Sequence, residues 1–178
     1  MRLQVFAACI AAVVWSAAVP TIAQQVTTDT IAGIRNFARL ETTVACAGAI
    51  TADVVPEIKK MGFASIVNLR LATERGADVE KEAAAARAVG LRYFHVPFDG
   101  SPDPKAADQF LDAMTTPGAE PAFIHCAGGN RAATMWLIKR LAVDHWDVDR
   151  ATKEATALGQ TSPRLRQFAI DYARTRQR

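Results

Sequence analysis

The residues of this chain best suited to chemistry stand together in the heptapeptide HCAGGNR, His125 to Arg131. A cysteine attacks as the thiolate, and a free thiol with a pKa near 8.5 is only about 3% ionised at pH 7. The neighbours of Cys126 are of a kind that changes this. Gly128 and Gly129 allow backbone angles closed to other residues, so that successive N–H groups can turn inward around one point. A helix starting at Ala132 adds its partial positive charge, and Arg131 offers a planar fork of donors. Together they describe a cradle for a tetrahedral anion, walled by Ala127, Gly128, Gly129, Asn130, Arg131 and Ala132, with a sulfur at its base. Lowering the thiol by roughly three units would raise the nucleophile's concentration about thirtyfold. The larger share of any acceleration would come from holding a substrate's oxygens as their charge redistributes. His125 is expected to pack and to order the loop, not to act as the base.

Such a loop has to leave a strand and enter a helix. AFIHC, Ala122 to Cys126, has the composition of a buried strand, and Arg131 leads into AATMWLIKRLAVDHW, whose Ala133, Met135, Trp136, Leu137, Ile138 and Leu141 leave little polar face. That helix belongs against the sheet, with Trp136 and Trp146 as core. ASIVNLR (Ala64 to Arg70) is a near-continuous apolar run ending on a charge, as in a central parallel strand covered on both faces. TVACAG (Thr43 to Gly48) reads as another short buried strand, and Thr51 as the N-cap of a helix with Asp53 in its first turn, running to about Met61 and closed by Gly62. DVEKEAAAARAVG is built of strong helix formers closed by Gly90, and LRYFHVP (Leu91 to Pro97) returns to strand composition. Ala106, Phe110, Leu111 and Met114 recur at helical spacing before Pro117 and Gly118. Two further helices are expected over Val148 to Leu158 and Pro163 to Arg176, the arginines from Arg164 to Arg178 forming a solvated face. Strands alternating with helices specify an α/β sandwich with a largely parallel sheet. In such a sheet ligands sit beyond the carboxyl ends of the strands, which is where Cys126 stands.

Half of the 178 residues are apolar, enough for the core of one domain. The formal net charge of +3 is spread without long single-sign runs, which argues against nucleic acid as a partner. MRLQVFAACIAAVVWSAAVPTIAQQ sets Arg2 before an apolar stretch from about Val5 to Val19, then Pro20 and small residues at Thr21 and Ala23. This reads as a signal peptide over residues 1–23, cut near Ala23, and so as a periplasmic or secreted protein without stable membrane insertion after cleavage. Residues 24–42, Thr-rich and weakly periodic, read as an arm packing Ile34 and Phe37 onto a domain over 43–178. Cys46 and Cys126 then remain, at most one bridge, and their positions have no metal-site spacing.

At GFASIVNLR with Glu74 after it, at GLRYFHVPF and at HCAGGNR, the sequence resembles the dual-specificity and tyrosine phosphatase superfamily. The closer likeness is to its bacterial beta-lactamase-hydrolase-like, phosphatase-like branch, from about Thr43 to Gly159. The resemblance implies a three-layer α/β sandwich with a central, mostly parallel sheet of four or five strands flanked by helices. It implies that Cys126 attacks phosphorus to give a phosphocysteine, that the loop amides and Arg131 bind the phosphoryl oxygens, and that an aspartate after the third strand protonates the leaving group. Asp99 stands there, with Asp103 behind it. The substrate would be a small anionic phosphoester or a phosphoprotein such as one bearing phosphotyrosine, with no cofactor and no metal.

Two features depart from the superfamily. Its loop has five residues between cysteine and arginine, whereas Ala127 to Asn130 are four, and the hydroxyl residue that follows its arginine is replaced by Ala132, for which Thr134 is a poor substitute by position. A four-residue loop is shared with rhodanese-like sulfurtransferases, in which Cys126 would carry a persulfide and Asp99 would be incidental. A non-catalytic anion-binding module is the third reading. Arg70 and Glu74 are expected to form a charge pair fixing a strand end. If the loop after TVACAG lies over the cradle, Cys46 could form a reversible disulfide with Cys126.

Overall fold

The computed structural model describes residues 25–176, so the segment read as a signal peptide lies outside the described residues. In chain order the elements are β1 (Val26–Ile31), β2 (Ile34–Leu40), β3 (Val44–Ala47), α1 (Val55–Lys60), β4 (Ser65–Asn68), α2 (Val79–Ala88), β5 (Arg92–His95), α3 (Pro104–Thr115), β6 (Ala122–His125), α4 (Asn130–Ala142), α5 (Val148–Ala157) and α6 (Pro163–Arg176). The strands form one sheet in the order β1-β2-β3-β6-β4-β5. The pairs β3–β6, β6–β4 and β4–β5 are parallel, while β1–β2 and β2–β3 are antiparallel.

Every residue of β3, β4 and β6 is buried, as near-continuous apolar runs require when helices cover both faces. Alternation along the strands divides the interior in two. Ala45, Ala47, Ile66 and Phe123 face Ile58 of α1 and Ala86 of α2. Val44, Cys46, Val67, Ile124 and Cys126 face the helices α3 to α6, with Phe110, Trp136 and Leu165 among the residues packed there. The result is the three-layer α/β sandwich, with α4 buried from Ala132 to Leu141. Its two buried cations are matched: Lys139 meets Glu120 and Asp144, and Arg140 meets Asp144 and Glu154.

The sheet has six strands because residues 26–40 are not an arm. They form the β1–β2 hairpin, which extends the sheet antiparallel to β3 and buries Ile34 and Phe37. An edge strand open on both faces has no period-2 apolar pattern to read, and β1 has four exposed residues between half-buried ends. The start of α1 also differs. Thr51 makes no side-chain cap, and a 3₁₀ turn over Ala52–Val54 intervenes, while the Thr51 N–H donates to the carbonyl of Gly33 at 3.2 Å. Asp78, Asp103 and Asp147 do cap α2, α3 and α5. Trp136 is fully buried, whereas Trp146 is half-buried and lies between the guanidinium groups of Arg140 and Arg150, 4.0 and 3.4 Å from its ring centre. Among the described residues, no helix is long and apolar enough to cross a membrane.

Candidate active site

Because β6 lies between β3 and β4, its carboxyl end opens at the middle of the sheet, and the loop after it is gripped from the β3 side. The Cys126 N–H donates to Ala47 O at 3.1 Å, and Ala49 N–H donates to Ala127 O at 3.1 Å. Asn36 on β2 donates through Nδ2 to Gly128 O at 3.0 Å. With these carbonyls held outward, the loop is free to present N–H groups inward. The Gly129 N–H donates to Cys126 Sγ at 3.1 Å, with Gly129 at φ +99°. The close approach of the β3 loop depends on Gly48, where a Cβ would stand 3.0 Å from the carbonyls of both Ala127 and Arg35.

Helix α4 begins at Asn130, two residues earlier than expected. The Asn130 side chain faces away from the sulfur: its Oδ1 accepts from the N–H groups of Thr161 and Ser162 at 2.8 and 3.2 Å, tying the loop to the α5–α6 connection. Ala132 is buried, and the Thr134 hydroxyl is used within the helix on Asn130 O at 2.8 Å.

Arg131 is held in place before any substrate arrives. Its Nη1 and Nη2 meet the two oxygens of Glu74 at 2.6 and 2.9 Å, and Nη1 also donates to Phe98 O at 2.5 Å. Burial opposes its charge, but the hydrogen bond to Glu74 and the neighbouring Cys126 sulfur outweigh this and raise its pKa. The same fork lowers the Glu74 carboxyl to about 2. Glu74 was expected to serve Arg70, and a contact of 3.4 Å exists between them. Its shorter bonds are nevertheless to Arg131, while Arg70 donates to the carbonyls of Arg75 and Gly76 at 2.6 and 2.9 Å. Cys126 is 1% exposed.

The Glu74–Arg131 pair has a pH signature. A carboxyl whose folded pKa lies below its unfolded value stabilises the fold fully above the unfolded value, and that stability is lost as pH falls toward the folded one. From 4.5 down to about 2 the contribution of Glu74, on the order of 2–3 kcal/mol, should disappear. Urea titrations of wild type and Glu74→Gln should therefore differ by that amount at pH 6 and converge toward pH 2. A constant difference would exclude the ion pair as its source.

The segment after β5 reaches the site at Gly100, where a Cβ would be 3.5 Å from Arg131 Cδ. Asp99, next to it, is exposed, and its Oδ1 accepts from Ser101 N–H at 2.6 Å. Asp103 is occupied in capping α3 through Lys105 N–H at 2.9 Å. Arg164, expected on a solvated face, donates to Gly100 O at 2.7 Å and so joins α6 to the Asp99 segment. Cys46 is on β3 itself and fully buried, not on a loop over the cradle. Burial pushes its thiol well up, with Cys126 adding to the shift, which makes it a poor partner for thiol exchange. Glu82 was missed by sequence reasoning: an acid in an Ala-rich helix reads as a solvated face, yet it is buried and lies 3.2 Å from His125 Nε2. Among the described residues no cluster of His, Cys, Asp or Glu could hold a metal ion.

This arrangement can be set beside known proteins. A beta-lactamase hydrolase-like protein of Agrobacterium fabrum is 31% identical over 85 residues, which are 47% of this chain and 20% of that protein, so the chain spans about a fifth of its relative's length. A DUF442 protein of Shewanella putrefaciens CN-32 superposes with a TM-score of 0.68 at 17% identity, covering 80% of this chain and 92% of that one. TpbA of P. aeruginosa, solved with pTyr, superposes with a TM-score of 0.57 at 18% identity over 83% of this chain and 88% of that one. At these identities the two structures speak for the fold. Residues 36–143 match the model of one family, and this stretch takes in β3 to β6, the Arg131 clamp and the HCAGGNR loop. The chain thus belongs to the family of the beta-lactamase hydrolase-like protein, phosphatase-like domain.

Proposed function

We propose that this protein is a cysteine-dependent phosphatase acting on a small phosphomonoester or phosphotyrosine outside the cytoplasm, through a phosphocysteine formed on Cys126. The observation that carries this reading is the join of sulfur and cation: Gly129 N–H points at Sγ from 3.1 Å while Glu74 holds the guanidinium that neighbours the same sulfur. The Arg131 Nη1 and one side of Nη2 are committed to Glu74 and Phe98, which leaves Nε–H and the second Nη2 hydrogen for a phosphoryl group. Family membership and the pTyr bound by TpbA support the substrate class. The export part of the reading rests on residues 1–23 alone, and a mature N-terminus at Gln24 would support it.

In the first step a lone pair on the Cys126 thiolate forms the S–P bond as the P–O bond to the leaving group breaks. Asp99 is the candidate to give the departing oxygen its proton. A water oxygen then bonds to phosphorus, giving a proton to the Asp99 carboxylate, as the S–P bond breaks to release phosphate and return the thiolate. Asp99→Asn should slow hydrolysis of alkyl phosphates by about 10²-fold and leave p-nitrophenyl phosphate, whose leaving group needs little protonation, within a few-fold. Equal slowing of both in steady-state assays would remove Asp99 from the role.

The four-residue loop favours sulfur transfer as the second reading. Mass spectrometry of the protein mixed with p-nitrophenyl phosphate or with thiosulfate separates the two, since one adds a phosphoryl group to Cys126 and the other a single sulfur. If neither adduct forms while phosphate still raises Tm, the anion-binding module is left.

A further inference from the structure

Two residues of β2 stand out of register with its partner. Asp29 pairs with Phe37 and Ile31 with Ile34, so Arg35 and Asn36 together oppose Thr30 alone. This is a β-bulge, a device that re-aims a side chain beside a site. Asn36 carries it at φ +48°, a conformation that asparagine tolerates better than most residues. Both bulged residues then turn to the loops beyond the sheet. Arg35 accepts Gly48 N–H on its carbonyl at 2.6 Å and gives its own N–H to Ala49 O at 3.0 Å. Asn36, 92 residues before Gly128, donates through Nδ2 to the Gly128 carbonyl at 3.0 Å.

The oxygen of Gly128 and the N–H of Gly129 belong to one planar trans peptide and point in opposite directions. That unit is held at both ends: Asn36 takes its oxygen, and its N–H meets Cys126 Sγ at 3.1 Å. Little else fixes it. A Cβ at Gly128 would meet nothing within 4 Å, and Gly128 and Gly129 line a cavity of about 800 Å³ together with Asn36, Asp29 and Thr161. A peptide between two glycines can turn over at small steric cost, and turned over it would point an oxygen at the sulfur and at any anion above it. A neutral hydrogen bond at an exposed residue such as Asn36 adds little to stability, so direction is what this one supplies.

We propose that Asn36 is a positioning residue of the anion cradle: by binding the outward oxygen of the Gly128–Gly129 peptide it keeps the N–H of that peptide turned inward, toward the sulfur and the oxyanion that would sit on it. The inference rests on reading HCAGGNR as an anion cradle, and its test needs no turnover. Inorganic phosphate is titrated calorimetrically into the full chain, wild type and Asn36→Gly, and both proteins are unfolded in urea. Glycine keeps the positive φ and removes only the donor. Phosphate should bind about fivefold more weakly to the variant, the worth of one hydrogen bond, with the urea midpoint unchanged. In amide NMR spectra the Gly129 N–H should shift with phosphate in wild type and much less in the variant. Asn36→Asp keeps the shape and the backbone preference while turning the donor into an acceptor, and it serves as the test if glycine loosens the hairpin. Its weaker binding should persist in about 0.5 M NaCl, where distant charge is screened. Wild-type phosphate affinity in either folded variant overturns the proposal, as does a lowered urea midpoint with unchanged affinity, which would make Asn36 a structural residue of the hairpin. Failure of the wild type itself to bind phosphate would sink the cradle reading, and this inference with it.

Discussion

Cys126→Ser is expected to lower the turnover of p-nitrophenyl phosphate by at least about 10⁴-fold while leaving the fold in place. A serine hydroxyl is a weak nucleophile unless a base takes its proton. The Gly129 N–H donates to Sγ and cannot accept, and the neighbouring Arg131 is a donor too. The buried His125 ring lies across the sheet with Glu82, so it cannot serve as that base. Since the loop amides, Arg131 and Glu74 are unchanged, the variant should still bind phosphate, and phosphate is expected to raise the Tm of variant and wild type alike. Steady-state kinetics and thermal melts with and without phosphate test both halves. Turnover surviving in the serine protein would mean that the sulfur is not the attacking atom.

Arg131→Lys is expected to lower kcat/KM by about 10²- to 10³-fold, the scale seen when one oriented donor is removed from an oxyanion site. One edge of the guanidinium lies on Glu74 and Phe98 O, and in the proposed reaction the other would serve the substrate. A lysine ammonium is a single point of charge and cannot grip a carboxylate and a phosphoryl group in fixed planes at once. Because Glu74 keeps a cation nearby, stability should fall less than in Arg131→Ala, and comparing the two in urea separates the charge from the fork. A lysine variant within fivefold of wild-type kcat/KM would show that the cradle works without the planar geometry.

The same pair marks a boundary between local and long-range information. The glycine pair, the cysteine and the arginine lie within seven residues, so their chemistry is carried by short spacing and could be read without coordinates. The runs that became β3, β4, β5 and β6, and the helices between them, were legible for a similar reason: apolar periodicity and turn residues act over one element's length. The edge strand β1 was not, since exposed on both faces it has no pattern, and only its pairing to β2 keeps it extended.

The partners of single side chains were the least legible part. Glu74 does meet Arg70, four residues away, at 3.4 Å as expected, but its shorter bonds go to Arg131, 57 positions later. The Asn130 side chain holds the α5–α6 connection, and Arg164 reaches across to Gly100. By itself, the sequence determined the α/β layering and a sulfur at the end of a buried strand before a glycine-bearing loop, because backbone preferences and hydrophobic periods act locally. Tertiary structure decided which charges meet that sulfur's surroundings, because the strand order β3-β6-β4-β5 brings together groups far apart in the chain, and a pairing energy depends on distances that no spacing encodes.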